Sequence, residues 1–309
     1  MNDKITRVMQ IMFITAAAVL GPSASLGRAQ TGNPPPADHP EVTVHGRKFT
    51  PKLILARNMG TAEDQTTQFP PHKIIGNLYY VGTRTLSSFL IVTPQGNILI
   101  NSTYERNVRT IEKSVEQLGF KFSDIKILLG THAHSDHQEG DALVKQLTGA
   151  QAMAMAEDVP ALQAMTPGGK EHPIDKTLHD GETVSLGGTT LTAHLTPGHT
   201  RGCTTWTMKA QEGGKFYNVV ISCSLRPPAT LTPQIVAEFS RTYPLVRSLA
   251  CDVPLGDHPA QYNMQEKYAK LREGARNPFI DPDGCTYEVD IEEAMFHALL
   301  DEQQKAAGH

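Results

Sequence analysis

Hydrophobic and polar positions follow each other along the chain in short patterns that predict strands separated by helices. In the first half, strands are predicted over residues 73–81, 87–93, 98–100 and 125–129, and helices over 107–118 and 140–147. In the second half, strands are predicted over residues 189–195, 204–208, 218–222 and 251–255, and helices over 233–249, 261–271 and 290–307. This order indicates an α/β fold in which two β-sheets pack together with helices outside.

The N-terminus has the three-part pattern of an export signal. Lys4 and Arg7 precede an apolar run over residues 8–20, and small residues follow over 21–29. The alternative is a membrane anchor, but the apolar run is well short of the roughly 20 residues that a spanning helix needs. We therefore predict a signal peptide and a periplasmic or secreted mature protein.

The region after this signal is rich in proline and glycine at first, and residues 59–68 are polar and aperiodic. No linker divides the rest of the chain. The predicted organisation is a signal peptide over 1–29, an irregular extension over 30–70 and one catalytic domain over 71–309.

Composition narrows the possible partners. The net charge is −4 and no basic run of five residues occurs, which argues against a nucleic-acid surface. After signal cleavage we expect no membrane contact, a small-molecule substrate and a monomer. The four cysteines allow three pairings, among which their spacing does not choose, and free thiols or metal ligands are further alternatives.

The strongest chemical signal is a run of metal-binding side chains directly after the predicted strand 125–129. It contains His132, His134, Asp136 and His137 within six residues. Imidazole and carboxylate groups are both common zinc ligands. A polar loop in which Asp136 caps a helix is the alternative, but such loops rarely hold three histidines.

Two further histidines also follow predicted strands. His199 lies in Pro-Gly-His-Thr after strand 189–195, and His258 lies in Gly-Asp-His-Pro after strand 251–255. Either histidine alone would be an ordinary loop residue. Because strand ends gather loops at one edge of a sandwich, the two are candidate ligands of the same centre.

Together, the His-x-His-x-Asp-His run, the Pro-Gly-His segment and the late Gly-x-His resemble the metallo-β-lactamase superfamily. Its glyoxalase II-like hydrolases and many lactonases carry a bridging aspartate after the strand that corresponds to 218–222. Here that position reads Ser222-Cys223-Ser224-Leu225, with no acid nearby. This pattern resembles class B β-lactamases of the third subclass, as do residues 197–206 and 277–280.

The resemblance implies an αββα sandwich of two mixed sheets and a centre with two zinc ions. His132, His134 and His199 would hold the first ion, and Asp136, His137 and His258 the second. A bridging hydroxide, oriented by the catalytic Asp136, would attack the β-lactam amide and so confer antibiotic resistance. The resemblance also implies the disulfide pairs Cys203–Cys223 and Cys251–Cys285.

Substrate recognition is predicted at Ser224 and Arg226, which would bind the substrate carboxylate. Arg226 as a solvated loop charge is the alternative. Four residues depart from the family pattern, namely Asn101, Ser135, Arg201 and Arg226. None of them removes a metal ligand, so they bear on substrate range, which the sequence leaves open together with catalytic efficiency.

Two other functions fit the same residues. One is a lactonase or esterase of the same fold, against which the missing bridging acid argues. The other is a periplasmic zinc-binding protein with little catalysis, against which an open metal position argues.

Overall fold

The computed structural model describes residues 38–308, which belong to one compact unit. The predicted signal peptide and residues 30–37 lie outside the described residues. No helix among residues 38–308 combines the length and the apolar character that crossing a bilayer requires.

The larger sheet has seven strands in the order of the sequence. They are β3 (His72–Ile75), β4 (Leu78–Tyr80), β5 (Phe89–Thr93), β6 (Gly96–Ile100), β7 (Ile125–Leu129), β8 (Gln151–Met155) and β9 (Lys176–Leu178). Pairing is antiparallel from β3 to β6 and parallel from β6 to β9. The sheet is therefore mixed, as predicted.

The smaller sheet has five strands, also in sequence order. They are β10 (Thr183–Leu186), β11 (Thr189–Leu195), β12 (Thr204–Glu212), β13 (Lys215–Ser222) and β14 (Val253–Gly256). Pairing is antiparallel except between β13 and β14. The parallel pair brings the ends of β13 and β14 to one edge, with Ser222 opposite Gly256.

Helices lie outside both sheets. They are α1 (Pro51–Met59), α2 (Val108–Gln117), α3 (Ser135–Gln138), α4 (Asp141–Thr148), α5 (Val159–Ala164), α6 (Pro233–Ser248), α7 (Met264–Arg272) and α8 (Tyr287–Ala306). One buried cluster joins the inner faces of the sheets, with Ile100 and Leu129 from the larger sheet and Trp206 and Ile221 from the smaller. The predicted αββα sandwich is confirmed.

The stretch between α4 and β11 contains elements that the periodicity did not predict. Strand β8 is buried at four successive positions from Ala152 to Met155 because a sheet neighbour lies on each side and layers cover both faces. Its Ala and Met residues carry little β-propensity, so neither alternation nor composition marks it as a strand.

The prediction of irregular chain over residues 30–70 is wrong for residues 42–59. Strands β1 (Val42–Val44) and β2 (Arg47–Phe49) form a hairpin closed by His45 and Gly46, both at positive φ. The Thr50 hydroxyl then caps α1 by accepting from the Leu53 amide at 3.2 Å. Phe49 and Ile54 are buried against Ile291 and Met295 of α8, a contact between distant residues that local sequence does not show.

The cysteines lie in the pairs that the family resemblance implied. Cys203 and Cys223 have Cα atoms 5.8 Å apart, and Cys251 and Cys285 have Cα atoms 6.1 Å apart, both in disulfide-bonded geometry. As disulfides, the first pair would connect the start of β12 to the end of β13, and the second would connect β14 to the segment before α8.

Non-reducing peptide mapping of protein from an oxidising compartment should therefore find Cys203 linked to Cys223 and Cys251 to Cys285. Each bond should stabilise the fold by about 2–4 kcal/mol. Mapping of the reduced protein is the control, and any other pairing or four free thiols would contradict the prediction.

Candidate metal centre

Three separate segments meet at one edge of the sandwich, and each follows the end of a strand. The loop after β7 leads into α3 and carries His132, His134, Asp136 and His137. His199 follows β11, and the third segment begins directly after β14. Because strand ends of both sheets open onto this edge, side chains from distant parts of the sequence come together there.

The first group of side chains contains His132, His134 and His199. One ring nitrogen of each lies within 4.8 Å of the others. The ring centroid of His132 is 4.7 Å from that of His134 and 4.8 Å from that of His199. His132 is buried whereas His134 is exposed, so this group is reached from solvent on the His134 side.

The second group contains Asp136, His137 and His258. Asp136 Oδ2 is 3.2 Å from His137 Nε2 and 3.8 Å from His258 Nε2. The rings of His132 and His137 are 4.2 Å apart between centroids, so the two groups are adjacent. All six side chains predicted as ligands thus lie in one cluster. Both predicted sets of three are among its close groups of ligand atoms, which overlap with a further group of His132, His137 and Asp257.

Hydrogen bonds to the far nitrogens fix how two of these rings are oriented. His199 Nδ1 lies 2.9 Å from the Arg226 carbonyl oxygen, and His258 Nδ1 lies 2.9 Å from the Thr85 carbonyl oxygen. A carbonyl oxygen accepts a hydrogen bond from a protonated Nδ1. In a neutral ring, Nε2 then keeps the free lone pair with which it can bind a metal. Rings held in this way are oriented as metal-ligating histidines are.

Burial keeps most of the imidazoles neutral. It lowers the pKa of His132 to about 3 and that of His199 well below the ordinary value, and neighbouring histidines lower both further. Burial alone would raise the pKa of Asp136, but His137 beside it holds that pKa well below the ordinary value. Burial also acts to lower the pKa of His137, but the charge of Asp136 outweighs it and raises that pKa. Apart from His137, the cluster therefore presents neutral nitrogens together with an ionised carboxylate, the forms in which these groups bind metals.

Buried polar atoms without a hydrogen-bond partner indicate whether a metal ion fits this cluster. His132 Nε2 and His137 Nδ1 are buried without a hydrogen-bond partner among residues 38–308. Leaving such groups unpaired is costly, and native structures rarely tolerate it. A bound cation would satisfy them, so the residues present fit the divalent metal that the fold implies.

Sequence reasoning missed Asp257, the neighbour of His258. It is fully buried, and its Oδ2 lies 3.3 Å from His132 Nδ1. Its position matches that of a carboxylate that orients a ligating histidine. Asp257 stands in the Gly-Asp-His triplet that drew attention to His258. Its partner is His132, 125 positions away in the sequence, so the triplet alone does not reveal its role.

Asp158, also missed, connects the metal-binding loops. Its carboxylate accepts from the Ala133 amide at 2.8 Å, the Thr200 hydroxyl at 2.8 Å and the Gly202 amide at 2.6 Å. These bonds join the His132–His134 segment to the loop of His199. Nothing local in the sequence marks this role, because all three donors come from other elements.

Asn101 also binds the loop after β7. Its side-chain oxygen accepts from the Thr131 amide at 2.9 Å and from the Thr131 hydroxyl at 3.2 Å, and the residue is fully buried. Although Asn101 departs from the family pattern, its amide thus supports the segment that leads into the candidate ligands. Ser135 and Arg201, two of the other departures, are exposed at the surface.

The two predicted substrate-binding residues lie just past β13. Ser224 is buried at 3% exposure, and Arg226 is partly exposed. The Arg226 charge is among the causes, after burial and the neighbouring histidines, that lower the pKa of His199. Arg226 is therefore near the first group, and its backbone holds His199 directly.

Comparison with known proteins agrees with this geometry. A family model described as the metallo-β-lactamase superfamily matches residues 81–211. The structure is also similar to the native FEZ-1 metallo-β-lactamase from Legionella gormanii, at 46% sequence identity and a TM-score of 0.74. That match covers 77% of this chain and 98% of the other. The chain belongs to the metallo-β-lactamase superfamily.

A second structure within the superfamily supports the finer resemblance. BJP-1, a subclass B3 metallo-β-lactamase of Bradyrhizobium japonicum, is 35% identical, with a TM-score of 0.72. The match covers 79% of this chain and 98% of BJP-1. The predicted resemblance to the third subclass is confirmed, and the chain has a hydrolase fold.

Curated relatives are more distant. A hydroxyacylglutathione hydrolase of Hyphomonas neptunium is 34% identical over 87 residues, which is 28% of this chain and 29% of that protein. The chain therefore aligns with less than a third of the length of this relative.

Proposed function

We propose that the protein is a zinc-dependent β-lactamase that works in the periplasm or outside the cell. The observation that carries the proposal is the composition of the second ligand group. Asp136, His137 and His258 lie together, and Ser224 rather than a bridging acid follows β13. The superfamily members with a bridging aspartate are the ones that the resemblance associates with thioester and lactone hydrolysis.

The metal part of the proposal assigns two zinc ions. His132, His134 and His199 would hold one ion, and Asp136, His137 and His258 the other, in agreement with the two groups of clustered ligand atoms. Zinc ions bound in this way lower the pKa of a coordinated water into the neutral range and polarise carbonyl oxygens.

The chain's own residues would prepare the site. Asp136 is ionised and is the acceptor nearest to both His137 and His258, so it can orient a water and accept its hydrogen bond. Asp257 would hold the His132 ring in one orientation through its Nδ1. Because His134 is exposed while the other rings are largely covered, a substrate would enter past His134.

The direct test is turnover by the zinc-loaded mature protein. We expect hydrolysis of nitrocefin, a penicillin and a carbapenem, and loss of all three activities with a chelator, restored by zinc. A lactone series and a hydroxyacylglutathione thioester are the comparison substrates, since the curated relatives carry the hydroxyacylglutathione hydrolase name. Faster hydrolysis of a lactone or thioester than of every β-lactam would overturn the proposal.

Recognition of the substrate carboxylate is proposed for Ser224 and Arg226. A charge-assisted hydrogen bond contributes about 1.5–3 kcal/mol. Arg226→Ala should therefore raise KM for penicillins and carbapenems by about tenfold or more with kcat nearly unchanged. The side-chain change keeps the backbone carbonyl that holds His199.

The matched control for this measurement is Arg276→Ala. Arg276 is exposed and adjoins Asn277, which bonds Glu212 at the end of β12 remote from the metal centre, so its loss should leave KM unchanged. An unchanged KM in Arg226→Ala would mean that Arg226 is only a solvated charge.

A further inference from the structure

Two glutamates of α8 are buried beside an arginine of α1. Glu288 and Glu292 stand four positions apart on the helix, so their side chains lie on one face, and they are 9% and 0% exposed. Nη2 of Arg57, in α1, donates to Glu288 Oε1 at 2.6 Å. Buried carboxyl groups are rare unless they are paired, and no step of the proposed reaction uses these two.

Three oxygens of the two carboxyl groups lack a partner. Glu288 Oε2 and both side-chain oxygens of Glu292 are buried without a hydrogen-bond donor among residues 38–308. Two ionised carboxylates would leave these acceptors unpaired and would set two negative charges against the single positive charge of Arg57. Buried acceptors without a donor and buried charges without a counterion are both unfavourable, so this charge state does not suit the fold.

One proton removes both difficulties. A protonated Glu292 has an O–H group that can donate to a Glu288 oxygen, and the remaining carboxylate of Glu288 is then neutralised by Arg57. Their spacing of one helical turn brings the two carboxyl groups within reach of each other. When two carboxyl groups share a buried site, one of them keeps its proton well above the ordinary pH range.

The electrostatic surroundings of Glu292 favour the same charge state. Burial, followed by the charge of Glu288, raises the pKa of Glu292 to about 8. The positive charges of Arg57 and of Arg226, which lies in the loop after β13, act in the opposite direction but do not outweigh these two causes.

Two further elements face the pair without neutralising it. Asp257, at the end of β14, adds negative charge that acts on Glu288. The Tyr243 hydroxyl, in α6, donates to the backbone carbonyls of Glu292 at 3.2 Å and Leu225 at 3.1 Å, and burial raises its pKa well above the ordinary value, so it supplies no charge. In the described part of the chain, an arginine of α1 is therefore the one cation paired with these carboxyl groups.

We propose that Glu292 shares one proton with Glu288 at neutral pH and that this acid pair, together with Arg57, forms an alkaline-sensitive contact between α8 and α1. Loss of the proton above about pH 8 leaves a second buried negative charge that Arg57 does not neutralise. The next residues on this face of α8 bury Phe49 and Ile54, so the added charge loosens the N-terminal hairpin and α1 from α8. The contact acts on the fold, whichever bond the metal centre hydrolyses.

Infrared spectroscopy of the zinc-loaded protein detects the proton directly. A protonated carboxylic acid has a C=O stretching band that a carboxylate lacks, and ordinary carboxyl groups are ionised at about pH 7. We expect this band in the unmodified protein at neutral pH, its loss in alkaline solution, and its absence in Glu292→Gln. Glu116→Gln, which changes an exposed glutamate of α2, is the matched control and should keep the band. A neutral solution of unmodified protein without the band, or a band that persists in Glu292→Gln, would overturn the proposal.

The pH dependence of stability tests the same proton independently. In the unfolded chain Glu292 ionises at its ordinary pKa of 4.5, whereas in the folded chain it keeps its proton to about pH 8. The stability that the protonated acid contributes is therefore complete below pH 4.5 and is lost as the pH rises to about 8. Because glutamine does not titrate, the Tm of Glu292→Gln minus that of the unmodified protein should increase by about 5 °C or more between about pH 5 and about pH 8.

Hydrogen exchange locates the consequence of losing the proton. Raising the pH from about 7 to about 9 should increase exchange of the α1 amides more in the unmodified protein than in Glu292→Gln, since base catalysis of exchange is the same in both. Zinc content, measured for each sample, verifies that the compared proteins are equally loaded. A Tm difference that does not change with pH, or equal exchange of α1 in the two proteins, would contradict an alkaline-sensitive contact.

Discussion

Asp136→Asn should lower kcat/KM for nitrocefin by about 10³-fold or more and reduce bound zinc from two equivalents to one. The Asp136 carboxylate lies between His137 and His258 and is held ionised there. An amide has about the same shape but carries no charge, so it would neither hold the second ion nor orient a water. Steady-state kinetics and metal analysis of the same preparation measure both effects.

Asp124→Asn is the control for the loss of a carboxylate, because Asp124 is exposed and remote from the cluster. His258→Ala should reproduce the loss of one zinc equivalent, since His258 belongs only to the second group. Full activity of Asp136→Asn with a single bound zinc would contradict the two-ion proposal.

Asp158→Ala should lower the free energy of unfolding by about 3–5 kcal/mol and weaken zinc binding by the first group. The change leaves two buried amides and one hydroxyl without their acceptor, and it separates the two loops that carry His132, His134 and His199. Denaturant unfolding with and without zinc measures both consequences.

Asp180→Ala provides the comparison for Asp158. Asp180 is an exposed aspartate that accepts one backbone bond, from Leu195 at 2.8 Å, so its loss should cost about 1 kcal/mol. Asp158→Asn keeps one acceptor oxygen, so its loss of unfolding free energy should lie between those of Asp158→Ala and Asp180→Ala. Equal destabilisation by Asp158→Ala and Asp180→Ala would show that Asp158 does not connect the loops.

The candidate ligands could be predicted because their signal is local. Four of them stand within six residues after a buried strand, and the other two each follow closely on the end of a strand. The supports of the site could not be predicted in this way. Asp158, Asp257 and Thr85 act on groups that only the packing of the two sheets brings near them.

The same distinction holds for the fold. Strands β7 and β11 have the predicted bounds because each stands between clear turns and has an apolar or alternating pattern. Strand β8 and the hairpin before α1 were missed for different reasons. The first is buried on both faces, and the second depends on α8 for its stability.

The packing of the N-terminal hairpin on α8 has a consequence for the order of folding. His45 and Arg47 bond to Asp290 and Tyr287, about 240 positions later, so these contacts cannot form until nearly the whole chain has been synthesised. Contacts between such distant residues form slowly because loop closure costs entropy first. The hairpin and α1 should therefore be the last parts of the protein to acquire protection from hydrogen exchange, and a variant truncated before residue 287 should leave Phe49 and Ile54 exposed.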